Sequence, residues 1–63
     1  MTIQEALDQE LIYIQQGDGD EMYIYWIVEA ATHERVMGFE TPIISDKVTD
    51  LHFSNGKLIS VFL

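Results

Sequence analysis

The feature that most constrains this chain is Asn55-Gly56, which lies between two apolar runs close to the C-terminal end of the sequence. Both central residues of a type I′ turn need positive φ, and Asn-Gly is the pair best suited to that conformation. The sequence therefore predicts a hairpin with a two-residue turn. In this hairpin Ser54 faces Lys57, and Phe53 faces Leu58.

Continued without a break, this register pairs His52 with Ile59 and Leu51 with Ser60. Residues of one face alternate along a strand, so the register divides the side chains of the hairpin between two faces. One face gathers Leu51, Phe53, Leu58 and Phe62. The other face carries Val48, Asp50, His52, Lys57, Ile59, Val61 and Leu63.

A second hairpin is predicted nearer the N-terminus, from strands over Glu10–Gln16 and Met22–Glu29. Both segments are rich in β-branched and aromatic residues, and turn-forming residues bound them. The segment Gly17-Asp18-Gly19-Asp20 predicts a loop of about four residues, with Gln16 facing Glu21. One face of the hairpin then holds Ile12, Ile14, Tyr23 and Tyr25, and the other holds Leu11, Tyr13, Met22, Ile24 and Trp26.

Both faces of this first hairpin are apolar or aromatic, although a half-buried antiparallel sheet normally alternates apolar and polar residues. One short helix covers only one face of such a sheet. The second face must curl into a closed barrel, meet another copy of the chain, or meet a partner. Because tyrosine and tryptophan are enriched at interfaces, the sequence favours a homodimer or partner interface over a barrel.

The remaining segments complete a small, mainly β (α+β) domain spanning residues 1–63. Thr2 and Glu5 have capping-box spacing, which predicts a short helix over residues 3–9. A third strand is expected over Arg35–Thr41, with a bulge at Gly38. Pro42 is expected to end this strand or to sit on an edge, because it has no N–H to donate. We therefore expect an N-terminal helix followed by an antiparallel sheet of four to five strands, built from two hairpins.

The acidic residues are concentrated in the first half of the chain. With 11 acidic and 3 basic residues the formal net charge is −8. Residues 1–34 hold eight acidic residues and no Lys or Arg, whereas residues 35–63 hold three of each sign and sum to zero. Such a field repels nucleic acids and anionic lipids and attracts basic protein surfaces. Two interpretations stay open: a surface that keeps the protein soluble, and a surface that meets a basic partner.

Catalytic and metal-binding motifs are not found in the sequence. There is no Cys, so thiol chemistry and zinc-thiolate sites are excluded. Asp18-Gly19-Asp20 lacks the rest of a calcium loop, which leaves weak cation binding as the alternative to a simple turn. His33-Glu34 has no second His at metalloprotease spacing. Without these motifs we predict a non-enzymatic protein that has no cofactor. We also predict a cytoplasmic protein, since no secretory signal or membrane-spanning run appears.

Several segments together resemble a known family. They are a first strand, the turn Gly17–Asp20, the aromatic strand Met22–Trp26 and the apolar strand Lys57–Leu63. Over about residues 10–29 and 57–63 the chain resembles the small dimeric phage inhibitors of uracil-DNA glycosylase. The resemblance implies a DNA-mimicking dimer, made in the cytoplasm of the phage's host, whose apolar pocket grips an apolar residue of the enzyme.

From these features we expect an inhibitory binding module that docks on a basic, nucleic-acid-binding protein surface. Its carboxylates would stand where phosphates stand in DNA: Asp18, Asp20, Glu21, Glu29 and Glu34. Its apolar grip would come from Tyr23, Tyr25 and Trp26. The alternative is a structural or assembly subunit that forms a homo-oligomer through its apolar strands.

Overall fold

The computed structural model describes all 63 residues as one short α-helix and five strands. The elements are α1 (Ile3–Asp8), β1 (Ile12–Gln16), β2 (Tyr25–Glu29), β3 (Arg35–Phe39), β4 (Asp50–Ser54) and β5 (Lys57–Phe62). Short 3-10 turns lie at Gly19–Glu21 and Ile44–Asp46. The predicted fold class, mainly β with a helix before two hairpins, is confirmed. The expected single sheet is divided into two antiparallel sheets, β1-β2-β3 and β4-β5.

The helix α1 begins at the predicted capping box. The Thr2 hydroxyl accepts a hydrogen bond from the Glu5 backbone N–H at 3.1 Å. The Glu5 carboxylate accepts one in return from the Thr2 backbone N–H at 2.8 Å. Because a helix of six residues is marginal by itself, its stability depends on the burial of Ile3 and Ala6 in the core.

The C-terminal hairpin turns where the sequence predicts. Asn55 and Gly56 have φ of 53° and 79°, and the pairs Ser54–Lys57 and Phe53–Leu58 are confirmed. The predicted register is wrong beyond Phe53, because a β-bulge makes Ile59 an extra residue and pairs His52 with Ser60.

The bulge exchanges the faces of the residues that follow it, as a one-residue slip must. Leu51 pairs with Val61, and Asp50 pairs with Phe62. Val61 therefore packs against the core, whereas Phe62 is 46% exposed. This is the reverse of the predicted positions of Val61 and Phe62.

The predicted register of the first hairpin is also wrong. Gln16 pairs with Tyr25, not with Glu21, and residues 17–24 form the connection between β1 and β2. Local hydrogen bonds hold this longer connection: the Gly17 N–H donates to the Ile24 carbonyl at 2.8 Å, and the Ile24 N–H donates to the Glu21 carbonyl at 2.9 Å. These bonds take up residues that the prediction had assigned to the second strand.

The strand β3 lies within the predicted range and ends before Pro42. The predicted bulge at Gly38 is wrong. The register of the β2–β3 pairing shifts between the pairs Ile27–Met37 and Val28–Arg35. A Cβ at Gly38 would lie 3.1 Å from the Trp26 ring. Gly38 therefore provides the space in which the indole packs across the neighbouring strand.

One apolar core joins the two sheets. Its buried members come from α1, from both sheets and from the segment before β4: Ile3, Ala6, Ile12, Ile27, Ile44, Val48, Leu51 and Leu58. The inner face of each sheet packs on this core, so the β1-β2-β3 sheet keeps a second, outer face. That outer face carries Trp26 and Arg35.

Candidate functional site

The strongest candidate surface is the acidic loop, residues 17–24, which connects β1 to β2. Asp18, Asp20 and Glu21 are all exposed in it. The loop is tightly folded, because a Cβ at Gly17 would collide with the carbonyl oxygen of Glu21. The Gln16 side-chain amide also donates to the Met22 carbonyl at 2.5 Å. The carboxylates are therefore presented from a defined turn.

Two large apolar side chains are exposed in the same loop. Met22 is 59% exposed and Tyr23 is 56% exposed. The prediction assigned both to a strand, but the longer connection moves them out of the sheet. Exposed apolar surface next to charged residues is typical of interaction sites.

The other two predicted aromatic residues lie elsewhere. Tyr25 is half-buried and packs against the core. Trp26 is half-buried on the outer face of the sheet, where the Arg35 guanidinium lies 5.2 Å from its ring centroid. The indole Nε1 of Trp26 makes no hydrogen bond within the chain. The structure thus separates Tyr23 from Tyr25 and Trp26.

The predicted carboxylates also divide into exposed and buried groups. Glu34 is exposed in the turn before β3, whereas Glu29 is only 3% exposed. Glu29 Oε2 accepts from the Leu58 N–H, and its Oε1 accepts from the Thr32 hydroxyl, both at 2.8 Å. Glu29 therefore connects the end of β2 to β5, and it is not presented at the surface with the other carboxylates.

These hydrogen bonds stabilise the charged form of Glu29. The Leu58 backbone N–H, and then the Thr32 hydroxyl, lower the pKa of the Glu29 carboxyl. A buried carboxylate is tolerated when donors satisfy it in this way. No local pattern in the sequence predicts this role, because Leu58 lies 29 residues from Glu29.

An ion-paired carboxylate, Asp50, lies in β4. Asp50 Oδ1 lies 2.6 Å from the Met1 ammonium, and Asp50 Oδ2 lies 2.8 Å from His52 Nε2. The ammonium, and then the His52 ring, lower the pKa of Asp50 to about 2. In α1, the Thr2 backbone N–H and then its hydroxyl lower the pKa of Glu5. Asp50 therefore binds the N-terminal ammonium, and Glu5 caps α1.

An apolar groove of about 290 Å³ lies between α1, β1 and the segment after β3. It is lined by Ile3, Gln4, Leu7, Ile14, Pro42, Ile43, Ile44 and Ser45. Ile43 is 56% exposed at this groove, and the exposed acids Glu5 and Asp8 adjoin its helical wall in sequence. The sequence analysis does not predict this groove. The apolar pair Ile43-Ile44 after Pro42 is the sequence signal that points to it.

The histidines have separate partners. His33 Nδ1 lies 3.0 Å from the Tyr13 hydroxyl, and His52 pairs with Asp50. No group of three or more His, Asp and Glu side chains is placed to hold a metal ion. None of the helices in the structure combines the length and apolar character needed to cross a membrane.

Comparisons with protein-family models, with curated proteins and with solved structures find no match for this chain. The resemblance to the phage inhibitors of uracil-DNA glycosylase therefore stays a prediction from the sequence pattern.

Proposed function

We propose that this chain is a non-enzymatic binding module that docks on the basic surface of a nucleic-acid-binding protein and blocks it as a DNA mimic. One observation carries the proposal: three exposed carboxylates and two large exposed apolar side chains adjoin one another in the acidic loop. The combination of charged and apolar side chains matters, because charge alone is compatible with a surface that only confers solubility.

The carboxylates supply the attraction. Like a phosphate, a carboxylate offers two acceptor oxygens to an arginine fork. The first 34 residues contain no Lys or Arg, so no positive side chain in that half competes with the partner. Complementary charge of this kind mainly raises the association rate and the selectivity.

Apolar contacts supply the residence time. Met22 and Tyr23 would be buried against the partner, and tyrosine is among the residues that most often dominate binding energy. We assign to the groove beside α1 one apolar side chain of the partner, because most of its lining residues are hydrophobic. The proposed binding set is Asp18, Asp20 and Glu21 with Met22 and Tyr23. It does not include Glu34, which lies in the turn between β2 and β3 at the opposite end of the sheet.

The test compares two double variants that each remove two exposed negative charges. Asp18→Asn with Asp20→Asn alters the acidic loop, whereas Glu40→Gln with Asp46→Asn alters the charge-balanced half. Uracil-DNA glycosylase is the first probe, and binding is measured in about 0.1 M and about 1 M salt, where the Debye length falls from about 10 Å to about 3 Å.

We expect the loop variant to slow association roughly tenfold or more at low salt, and the control variant to change it little. Wild-type affinity should fall as salt rises. Equal losses from both variants, or binding that salt does not change, would contradict docking through the acidic loop. If the enzyme does not bind, capture of basic proteins from a lysate with wild type and loop variant side by side extends the test.

A further inference from the structure

The tight turn of the C-terminal hairpin contains a chemically reactive pair. Asn55 is the only asparagine in the chain, and the residue after it is Gly56. Asparagine is among the thermolabile residues of proteins, because its Cγ lies within reach of the backbone nitrogen of the next residue. Attack by that nitrogen closes a five-membered ring, and a glycine at the next position has no side chain to obstruct the attack.

Both reacting groups of this pair are unbound within the chain. Residues 54–57 are all exposed. The Asn55 side chain takes part in no hydrogen bond, and the Gly56 N–H has no backbone acceptor. A Cβ at Gly56 would meet no atom within 4 Å. No neighbouring group therefore shields the attacking nitrogen.

The first hairpin contains a comparable pair, Gln16-Gly17, whose groups are both bound. The Gln16 side-chain amide donates to the Met22 carbonyl, and the Gly17 N–H donates to the Ile24 carbonyl. A glutamine must also close a larger, six-membered ring. Of the two side-chain amides that precede a glycine in this chain, only that of Asn55 is therefore placed to react.

The turn must open before the ring can close. The Asn55 backbone has φ of 53° in the turn, and rotation about its Cα–C bond is needed to bring the Gly56 nitrogen to Cγ. Only two residue pairs separate the turn from the β-bulge, and in the pair next to the turn, Ser54–Lys57, both residues are exposed. Exposed segments with few buried contacts open most readily. The tip of the hairpin can therefore open while the core stays folded.

We propose that Asn55 is a site of spontaneous deamidation, a covalent modification that needs no enzyme. The Gly56 nitrogen loses its proton to water and bonds to Asn55 Cγ. The Cγ–Nδ2 bond then breaks, as Nδ2 takes up a proton and leaves as ammonia. Water opens the resulting succinimide at Cγ to give aspartate, or at the α-carbonyl carbon to give isoaspartate, whose backbone runs through Cγ. The net reaction consumes one water and releases one ammonia, and nothing is oxidised or reduced.

The two products have different effects on the hairpin. Aspartate before glycine also suits a type I′ turn, so this product keeps the turn and makes the net charge of −8 one unit more negative. Isoaspartate adds one carbon atom to the backbone of a two-residue turn whose length sets the pairing of β4 with β5. Just after the turn, Leu58 is buried and donates its N–H to Glu29 in the first sheet. Isoaspartate therefore destabilises the hairpin close to its connection with the core.

The first test is incubation of the full chain at body temperature, from neutral to mildly alkaline pH, followed by trypsin cleavage and mass spectrometry. Cleavage after Lys47 and Lys57 releases residues 48–57, in which Asn55 is the only side-chain amide. Deamidation replaces NH2 with OH, so we expect this fragment to gain about 1 Da. The gain should be faster at higher pH, because the Gly56 nitrogen must lose its proton.

A synthetic peptide of residues 48–57, incubated alongside the chain, gives the reactivity of the pair without the fold. If the peptide is converted while the folded chain gains no mass, the fold protects the turn and the proposal is overturned. A gain in the folded chain that does not depend on pH would also contradict ring closure by the Gly56 nitrogen.

The second test measures the effect of the modification on the fold. Methyl transfer from S-adenosylmethionine by an isoaspartyl methyltransferase identifies the isoaspartate form, which chromatography then separates. We expect this form to melt roughly 4–8 °C below the fresh chain, whereas Asn55→Asp, which copies the other product, should melt like the fresh chain.

Asn55→Gly is the matched control for incubation, because Gly-Gly also suits a type I′ turn and only the reacting side chain is removed. Its melting temperature should stay constant during incubation. An isoaspartate form as stable as the fresh chain, or an equal loss in Asn55→Gly, would overturn the assigned effect on the hairpin. The reaction does not alter the acidic loop, so docking on a basic partner stands or fails independently of these results.

Discussion

The two hairpins of this chain reach their pairing by different routes. The C-terminal hairpin turns in two residues, Asn55 and Gly56, whose positive φ values determine the pairs next to the turn. The first hairpin turns through the acidic loop, and its pairing starts only at Gln16 and Tyr25. A tight turn sets register through the local backbone, whereas a longer connection leaves register to tertiary packing. The longer connection is also the one free to present side chains to a partner.

Despite this difference, the two sheets share one core. Ile27 in the first sheet and Leu51 in the second are both almost completely inaccessible to solvent, and both belong to the same apolar cluster. A direct hydrogen bond from Leu58 to Glu29 also connects the sheets. The chain should therefore unfold as one unit, even though its hairpins are specified differently.

The largest effects are expected from side-chain truncations in the shared core, which test whether the two sheets unfold together. Ile27→Ala and Leu51→Ala should each lower the free energy of unfolding by roughly 2–5 kcal/mol, through lost burial and a cavity. Ile59→Ala, at an exposed site, should change it by no more than about 0.5 kcal/mol. Chemical denaturation followed by fluorescence and by circular dichroism measures these changes. Separate transitions for the two sheets in the Leu51 variant would show that they fold independently.

The next largest effect is expected at the connection between the sheets. Glu29→Ala removes both acceptors and leaves the Leu58 N–H without a partner, which is costly in a buried place. We expect the melting temperature to fall by roughly 5–10 °C and the Leu58 amide to exchange faster with solvent. Glu34→Ala is the matched control at an exposed carboxylate. An unchanged Leu58 exchange rate would show that the Glu29 hydrogen bond contributes little.

A glycine substitution in each hairpin connection sharpens the comparison of the turns. Gly17→Ala must displace the Glu21 carbonyl, so it should cost roughly 1–3 kcal/mol and rearrange the acidic loop. Gly56→Ala meets no atom within 4 Å but keeps a φ of +79°, so it should cost about 1–2 kcal/mol. Gly19→Ala, with φ of +58° and open space, should behave like Gly56→Ala. Thermal melts and loop NMR shifts distinguish crowding from backbone strain.

The smallest effect concerns acid stability. Asp50 has a folded pKa of about 2 against an ordinary 3.8, so its contribution to stability is complete above 3.8 and is lost as pH falls toward 2. Glu5 and Glu29, whose pKa values are also lowered, act in the same direction. We expect the melting temperature to fall from about pH 4 downward, and Asp50→Asn to make that fall shallower. A melting curve with the same pH slope in the variant would exclude Asp50 as a contributor.

Local signals in the sequence were sufficient for the elements but not for their registers. The capping box at Thr2 and the turn at Asn55-Gly56 depend on neighbouring residues, and both predictions are confirmed. The bulge at Ile59 could not be predicted, because residues 58–63 are apolar in both alternating phases apart from Ser60. Either register would bury apolar side chains, so the fit to the core decides between them.

Local signals also predicted only part of the candidate site. The exposure of Asp18, Asp20 and Glu21 agrees with their proposed role at a surface, since charged turn residues stay solvated in most contexts. The position of Glu29 does not agree with such a role. Its strand continues into a turn that directs the carboxylate toward β5, and no local pattern in the sequence contains that information.

By itself, the sequence determined the uneven charge, the helix start and the tight turn, because each depends on composition or on residues a few positions apart. Only the tertiary structure decided that the strands divide into two sheets, that Glu29 connects them, and that Met22 and Tyr23 stand outside the sheet in the acidic loop. These outcomes depend on contacts between residues far apart in the chain, and the packing of one shared core selects among registers that are locally equivalent.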